Sequence, residues 1–201
     1  LSKLGVSVET GRTATLESIR KSGAQQVILA SGSQPVRLTL SDGTSALTLD
    51  EAAQARFSGA GVAVYDETGD WGTLGLVEHL AASGNRVTLL TPLAGALWRT
   101  TIYSSTTTLA RWRERKIRLR TLRKPLAWKD GQLRVEDVSC GEIEEIQGID
   151  HVVAVLPAIA DCALEAPLLD AGISVRLAGD SHAPRNALEA IFEGHRCGRE
   201  C

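Results

Sequence analysis

The stretch Gly61-Val62-Ala63-Val64-Tyr65-Asp66-Glu67-Thr68-Gly69-Asp70-Trp71-Gly72-Thr73-Leu74-Gly75 decides the fold. Up to Asp66 it is an apolar, valine-rich run of strand length; a loop holding Gly69 and Gly72 follows, and a helix is expected to begin near Thr73. Leu74, Val77, Leu80 and Ala81 fall on one face of that helix, and Gly84 marks its end. A second apolar run, Arg86–Thr91, closes a strand-helix-strand unit of about 30 residues. Where such a strand hands over to its helix, unpaired amides and the helix dipole favour an anion. Asp66, Gly69, Trp71, Gly72 and Thr73 are therefore candidate residues for the diphosphate of a dinucleotide, with Thr73 capping the helix or bonding a phosphate. The loop departs from the Gly-x-Gly-x-x-Gly pattern, because Asp66 and Glu67 occupy the turn and Asp70 and Trp71 crowd it. Added carboxylates repel a diphosphate. At the end of the second strand, where an acidic residue would hold a ribose hydroxyl, Thr91 and Pro92 stand instead, with Arg99 further on. Thr91 and Arg99 complete this candidate site. A structural unit that binds nothing fits the same residues.

Working outward, further short β-branched runs bounded by Gly, Pro or Asp predict strands at Val6–Glu9, Gln26–Ala30, Ile117–Leu122, Leu133–Val138, His151–Leu156 and Ser174–Leu177. Helical patterns lie between them: one from Ser104 to Glu114, a short one around Ala163–Leu169 ending at Gly172, and a last one after Pro184 marked by Ala187, Leu188, Ile191 and Phe192. Alternating strands and helices with nearly continuous apolar strands imply an α/β fold whose parallel sheet is covered on both faces. The segment from Trp128 to Gln147 breaks that alternation. Asp130-Gly131 marks a hairpin, and Leu133–Val138 alternates, so a β-meander is expected within a Rossmann-like domain.

Composition bounds the rest. The chain has 201 residues, 43% hydrophobic and 23% charged, with a formal net charge of −2, so no global field draws it to nucleic acid or an anionic membrane. No apolar run approaches the about 20 residues of a membrane helix, and the first residues lack the pattern of a signal peptide. Cys140, Cys162, Cys197 and Cys201 form no Cys-x-x-Cys pair, so reduced thiols and a cytoplasmic location are expected, and no metal site. The sequence contains no Met, even at position 1, as expected of a piece of a longer chain.

The basic run Arg111–Lys124, interleaved with Trp112, has the composition of a nucleic-acid patch. Its alternation at Ile117, Leu119 and Thr121 instead reads as a strand with one solvated face, so no nucleic-acid partner is expected. Of the four histidines only His182, in a loop before the last helix, invites a test. Neither a Ser-His-Asp order nor a nucleophile elbow is present, and no catalytic residue is assigned.

Two further segments carry a resemblance. Val27–Pro35 runs from a strand into a turn at Gly32, and Val175–Asp180 leads into Ser181–His195. In these segments the chain resembles the C-terminal half of the flavoprotein family containing trimethylamine dehydrogenase, histamine dehydrogenase and 2,4-dienoyl-CoA reductase. The resemblance covers almost the whole chain and is most specific at Gly179-Asp180, Ala183-Pro184-Arg185, Ala190-Ile191 and Glu193-Gly194-His195. The Asp66–Gly69 loop looks more like the amine dehydrogenase branch. In this family a barrel of the old yellow enzyme type precedes paired FAD-like and NAD-like domains. The resemblance implies that Gly32, in Ala30-Ser31-Gly32, packs near FAD or ADP. By the same resemblance Asp180 bonds the ribityl or ribose region, and Ala183 and Arg185 open the helix beside that cofactor. It implies an NAD(P)/ADP-binding-like Rossmann domain at residues 58–157, and a partial FAD-like domain at residues 1–57 and 158–201. The first FAD-binding glycine loop, the barrel, its FMN and an iron–sulfur cluster are expected only upstream, as the partners of this chain.

Three functional expectations remain open. The chain is a nucleotide-binding module of a flavin-dependent oxidoreductase, inactive alone and binding adenine nucleotide, with NAD(P)H used by the parent enzyme. Alternatively it is an NAD(P)H-dependent reductase subunit completed by a partner chain. The third is a structural module whose nucleotide sites have decayed.

Overall fold

The computed structural model describes residues 2–200 and divides into two compact units. Unit 1 joins Leu1–Gln34 to Ala158–Cys201, and unit 2 is Pro35–Pro157. The expected boundary after residue 57 moves to Gln34, because the helix at Leu49–Gln54 packs on the helix at Trp71–Ala82 and on the strand at His151–Val155.

Unit 1 begins with α1 (Leu16–Ser22), β1 (Gln26–Leu29) and β2 (Ser33–Gln34). The strand expected at Val6–Glu9 is absent: the segment carries no ladder, and Val6 and Val8 lie exposed. An alternating run without a neighbouring strand has nothing to pair with. Helix α1 is held by a capping box, Thr15 and Ser18 each bonding the other's backbone N–H.

Unit 2 continues with α2 (Leu49–Gln54), β3 (Gly61–Asp66), α3 (Trp71–Ala82), β4 (Arg86–Leu90), α4 (Ile102–Glu114) and β5 (Arg118–Arg120). Then come β6 (Arg123–Lys129), β7 (Gln132–Asp137), β8 (Ile143–Gln147) and β9 (His151–Val155). Strands β5, β4, β3 and β9 form a parallel sheet in that order, while β6, β7 and β8 form an antiparallel meander. All six residues of β3 are buried because both faces of the sheet are covered. Val62 and Val64 pack with Leu74, Val77 and Leu80 of α3, whereas Ala63 and Tyr65 pack with Leu133, Val135 and Ile146 of the meander. Three layers result: helices, parallel sheet, meander. The expected hairpin stands, with Asp130 at φ +51° and Gly131 at +77°, the pair of left-handed residues that a tight two-residue turn requires. Strands β6 and β8 extend the expected meander on either side of the predicted strand.

The basic run divides among the last turn of α4, β5 and the start of β6. Arg111 bonds Glu78 through two nitrogens, and Arg123 bonds Glu144 and Asp137. Arg118 and Arg120 line the open edge of the sheet, where charge discourages further strand pairing.

The chain returns to unit 1 with β10 (Ile159–Ala160), α5 (Glu165–Asp170), β11 (Ser174–Leu177) and α6 (Ala187–Arg199). Strand β11 runs parallel to β1, and β10 pairs antiparallel with β2. Leu188, Ile191 and Phe192 of α6 are exposed, and its buried positions are Glu193 and Cys197. Among the described residues, no helix is long and apolar enough to cross a membrane.

At the start of β3, a Cβ on Gly61 would lie 1.8 Å from the Gly148 carbonyl oxygen. Gly61→Ala is expected to destabilise unit 2 by about 3 kcal/mol, because backbone rather than a flexible side chain must move. Urea denaturation followed by circular dichroism checks this.

Candidate functional site

In unit 2 the turn from β3 into α3 is built on the Asp66 carboxylate, which is 1% exposed. Oδ1 accepts from the Thr68 amide at 2.9 Å, the Thr68 hydroxyl at 2.8 Å and the Thr73 hydroxyl at 2.8 Å. The Gly69 amide lies 3.1 Å from both carboxylate oxygens. The helix start is taken as well: Asp70 is its N-cap and accepts from the Gly72 and Thr73 amides at 2.9 and 3.4 Å. Thr73, expected to cap the helix or bond a phosphate, donates its hydroxyl to Asp66, and α3 begins two residues earlier than expected, at Trp71.

Both glycines of the loop serve packing. Gly69 has φ +63°, and a Cβ there would lie 2.2 Å from the indole of Trp98. A Cβ on Gly72 would lie 3.1 Å from Leu49 of α2. Trp98 follows Leu97, which holds a left-handed φ of +58° while only 1% exposed, and the Arg99 amide donates to the Gly69 carbonyl at 3.0 Å. Left-handed backbone costs a non-glycine residue on the order of 1–2 kcal/mol, offset here by burial of the leucine in the helix-side core. The β4–α4 loop is thereby fastened over the turn. Thr91, 1% exposed at the end of β4, accepts from the Leu93 amide. The Arg99 guanidinium lies 5.6 Å from the Trp98 ring centre, and Trp71 is 56% exposed.

A dinucleotide loop places its first glycine where the strand ends, the next two residues on and the third five residues on. Counted from the end of β3, those positions hold Asp66, Thr68 and Trp71. Gly69 and Gly72 stand one residue out of that register. The donors a diphosphate needs are satisfied by the chain's own carboxylates, so these residues do not fit the diphosphate of NAD(P)H.

Unit 1 gathers a different set. Since Leu29 is paired with Leu177, the turns after β1 and β11 leave the same end of the ladder. Gly32 and Gly179 have φ of +85° and +67°. Asp180 accepts from the Ser33 hydroxyl at 3.1 Å and the Arg185 amide at 3.2 Å. Ser181, fully buried, donates toward the Leu29 carbonyl at 2.7 Å and so ties the two turns together. Gly32, Gly179, Asp180, Arg185, Asn186 and Ala190 line a cavity of about 420 Å³. The Ala183 amide donates to the Gly179 carbonyl at 3.2 Å, which shapes the turn into α6.

Glu193, part of the resembling segment but not among the expected site residues, organises this turn from α6. It is 4% exposed and accepts from the Gly179 amide at 2.8 Å, from His182 Nδ1 at 2.9 Å and from the Arg185 guanidinium. These bonds to His182 and Arg185 hold its carboxyl down at about 2. A signal was present, since Ala190, Glu193 and Cys197 share one face of α6, and a carboxylate there needs buried partners. The fit to an adenine nucleotide or FAD is favourable: a glycine in each turn, an oriented Asp180 and an Arg185 fixed at the cavity edge. Among the described residues, no group of three or more His, Cys, Asp and Glu is arranged to hold a metal ion.

Neither a protein-family model nor a curated protein matches the chain. Solved structures do. Histamine dehydrogenase from Rhizobium sp. 4-9 is 26% identical with a TM-score of 0.77, over 94% of this chain and 32% of its own. The 6-hydroxypseudooxynicotine amine oxidase from Pseudomonas geniculata N1 is 20% identical with a TM-score of 0.78, over 93% of this chain and 30% of its own. A 2-naphthoyl-CoA reductase is 20% identical with a TM-score of 0.80, over 98% of this chain and 30% of its own. The chain spans about a third of the length of each. The first is among the proteins named in the sequence resemblance, and all three share the α/β fold with parallel sheets.

Two outcomes follow. Asp66→Ala strands two amides and two hydroxyls at once and should cost about 3 kcal/mol in a urea titration. Glu193 has its pKa lowered from 4.5 to about 2, so its contribution to stability is complete above 4.5 and is lost as pH falls toward 2. Glu193→Gln should flatten that part of the stability–pH profile, measured by denaturant midpoints between pH 6 and pH 2.

Proposed function

We propose that the chain is a nucleotide-binding module of a flavin-dependent oxidoreductase of the NADH:flavin oxidoreductase or amine dehydrogenase type. Unit 2 is its Rossmann-like domain and unit 1 part of an FAD-like domain. The observation that carries this reading is the unit 1 cavity, where the Gly32 turn and the Gly179–Arg185 turn meet at one end of β1 and β11. Gly32, Asp180, Ala183 and Arg185 would hold an adenine nucleotide or the corresponding part of FAD. Gly32 and Gly179 let backbone approach the ligand, Asp180 accepts from a ribose or ribityl hydroxyl, and Glu193 keeps Arg185 aimed. A bound flavin supplies the electron chemistry; the chain contributes binding and electrostatics.

The exposed apolar surfaces of unit 1 support the same reading. A parallel sheet of two strands, with Ile28 39% exposed, lacks the cover such sheets need. The bare Leu188, Ile191 and Phe192 face of α6 belongs to the same unit. An upstream segment supplying the first half of the FAD-like domain, preceded by a flavin barrel with FMN and an iron–sulfur cluster, would complete it.

Calorimetric titration with ADP, FAD, NADH and NADPH tests the proposal. Binding of ADP in the micromolar range, weakened about tenfold or more by Asp180→Ala, is the expected outcome. Reduction of a dye by NADH would favour a working reductase subunit instead, and binding of none of the four would leave a scaffold.

A further inference from the structure

We infer that the strand-to-helix turn of unit 2 is a self-liganded phosphate loop, closed to dinucleotides, so that any electrons passing through the assembled protein are not delivered by NADH or NADPH at this unit. The chain holds an internal substitute for the diphosphate. The Asp66 carboxylate takes the Thr68 and Gly69 amides together with the Thr68 and Thr73 hydroxyls. Asp70 takes the Gly72 and Thr73 amides at the helix start. A dinucleotide phosphate entering here would have to displace two carboxylates from six donors and accept their negative charge beside its own.

Shape closes the turn independently of charge. Trp98 rests on Gly69 within the distance a single methyl group would need, and Gly72 is pressed toward Leu49. Counted from the end of β3, the second of the three glycine positions, where backbone must approach a pyrophosphate, holds Thr68. The Arg99 amide is bound to the Gly69 carbonyl, which fastens the β4–α4 loop over the turn. Charge, register and packing thus agree.

The inference is independent of the unit 1 reading, and one experiment separates them. In the ¹⁵N-labelled chain, the amide signals of Thr68, Gly69, Gly72 and Thr73 are followed while NADH, NADPH or ADP is added. With no ligand present, the Thr68 and Gly69 amides should already be protected from solvent exchange, and Asp66→Asn should reduce that protection by about tenfold or more. Neither dinucleotide should move the four signals. Movement of these signals with a Kd below about 1 mM for NADH or NADPH would overturn the inference, as would unprotected amides in the unliganded chain. ADP should move only signals around Gly32 and Gly179. Failure of ADP to bind sinks the unit 1 reading alone, whereas ADP shifts at Gly69 count against the closed turn.

Discussion

The carboxylate of Asp66 is the point from which the geometry of unit 2 is set. It sits at the end of a strand buried on both faces, where an unsatisfied charge would be prohibitive, and it gathers four donors from the next seven residues. Those bonds fix the direction in which the chain leaves β3 and the point at which α3 begins. The helix then lays Leu74, Val77 and Leu80 onto Val62 and Val64. On the opposite face, Tyr65 meets the meander, with its hydroxyl donating to Glu67 at 2.6 Å. The layers depend on a turn that the chain closes with its own side chains.

Unit 1 solves a similar problem by different means. Its two strands end in turns that hold glycine at Gly32 and Gly179, and the carboxylate that organises the second comes from a helix, Glu193, instead of from the strand. The cavity therefore stays open where the turn of unit 2 is filled. Of these two handovers from strand to turn, each with a buried carboxylate, one is filled by side chains and the other borders a cavity.

Much of the fold was legible because its signals are local. The buried run Gly61–Asp66, the periodicity of α3 and the Asp130-Gly131 hairpin each follow from a few neighbouring residues. The two-residue ladder of β2 with β10 and the helix α1, which buries none of its residues, leave no apolar pattern to read. The site was less legible, for a physical reason. Asp66 and Asp70 were recognised as unfavourable to phosphate, but whether a carboxylate faces a ligand or its own backbone depends on side-chain direction, which spacing does not encode. Trp98 was invisible for a related reason: it reaches Gly69 from 29 residues away along the chain, through a left-handed Leu97 that no propensity favours.

A turn that supplies its own ligand frees unit 2 from the supply of nucleotide. Many cofactor-binding domains borrow part of their native stability from the molecule they carry, by mass action, and falter when it is scarce. Here the Asp66 contacts stand in for that contribution from the moment the chain folds, so maturation of this unit can precede any loading step. On the proposed function, starvation for cofactor would then be felt only by the other unit.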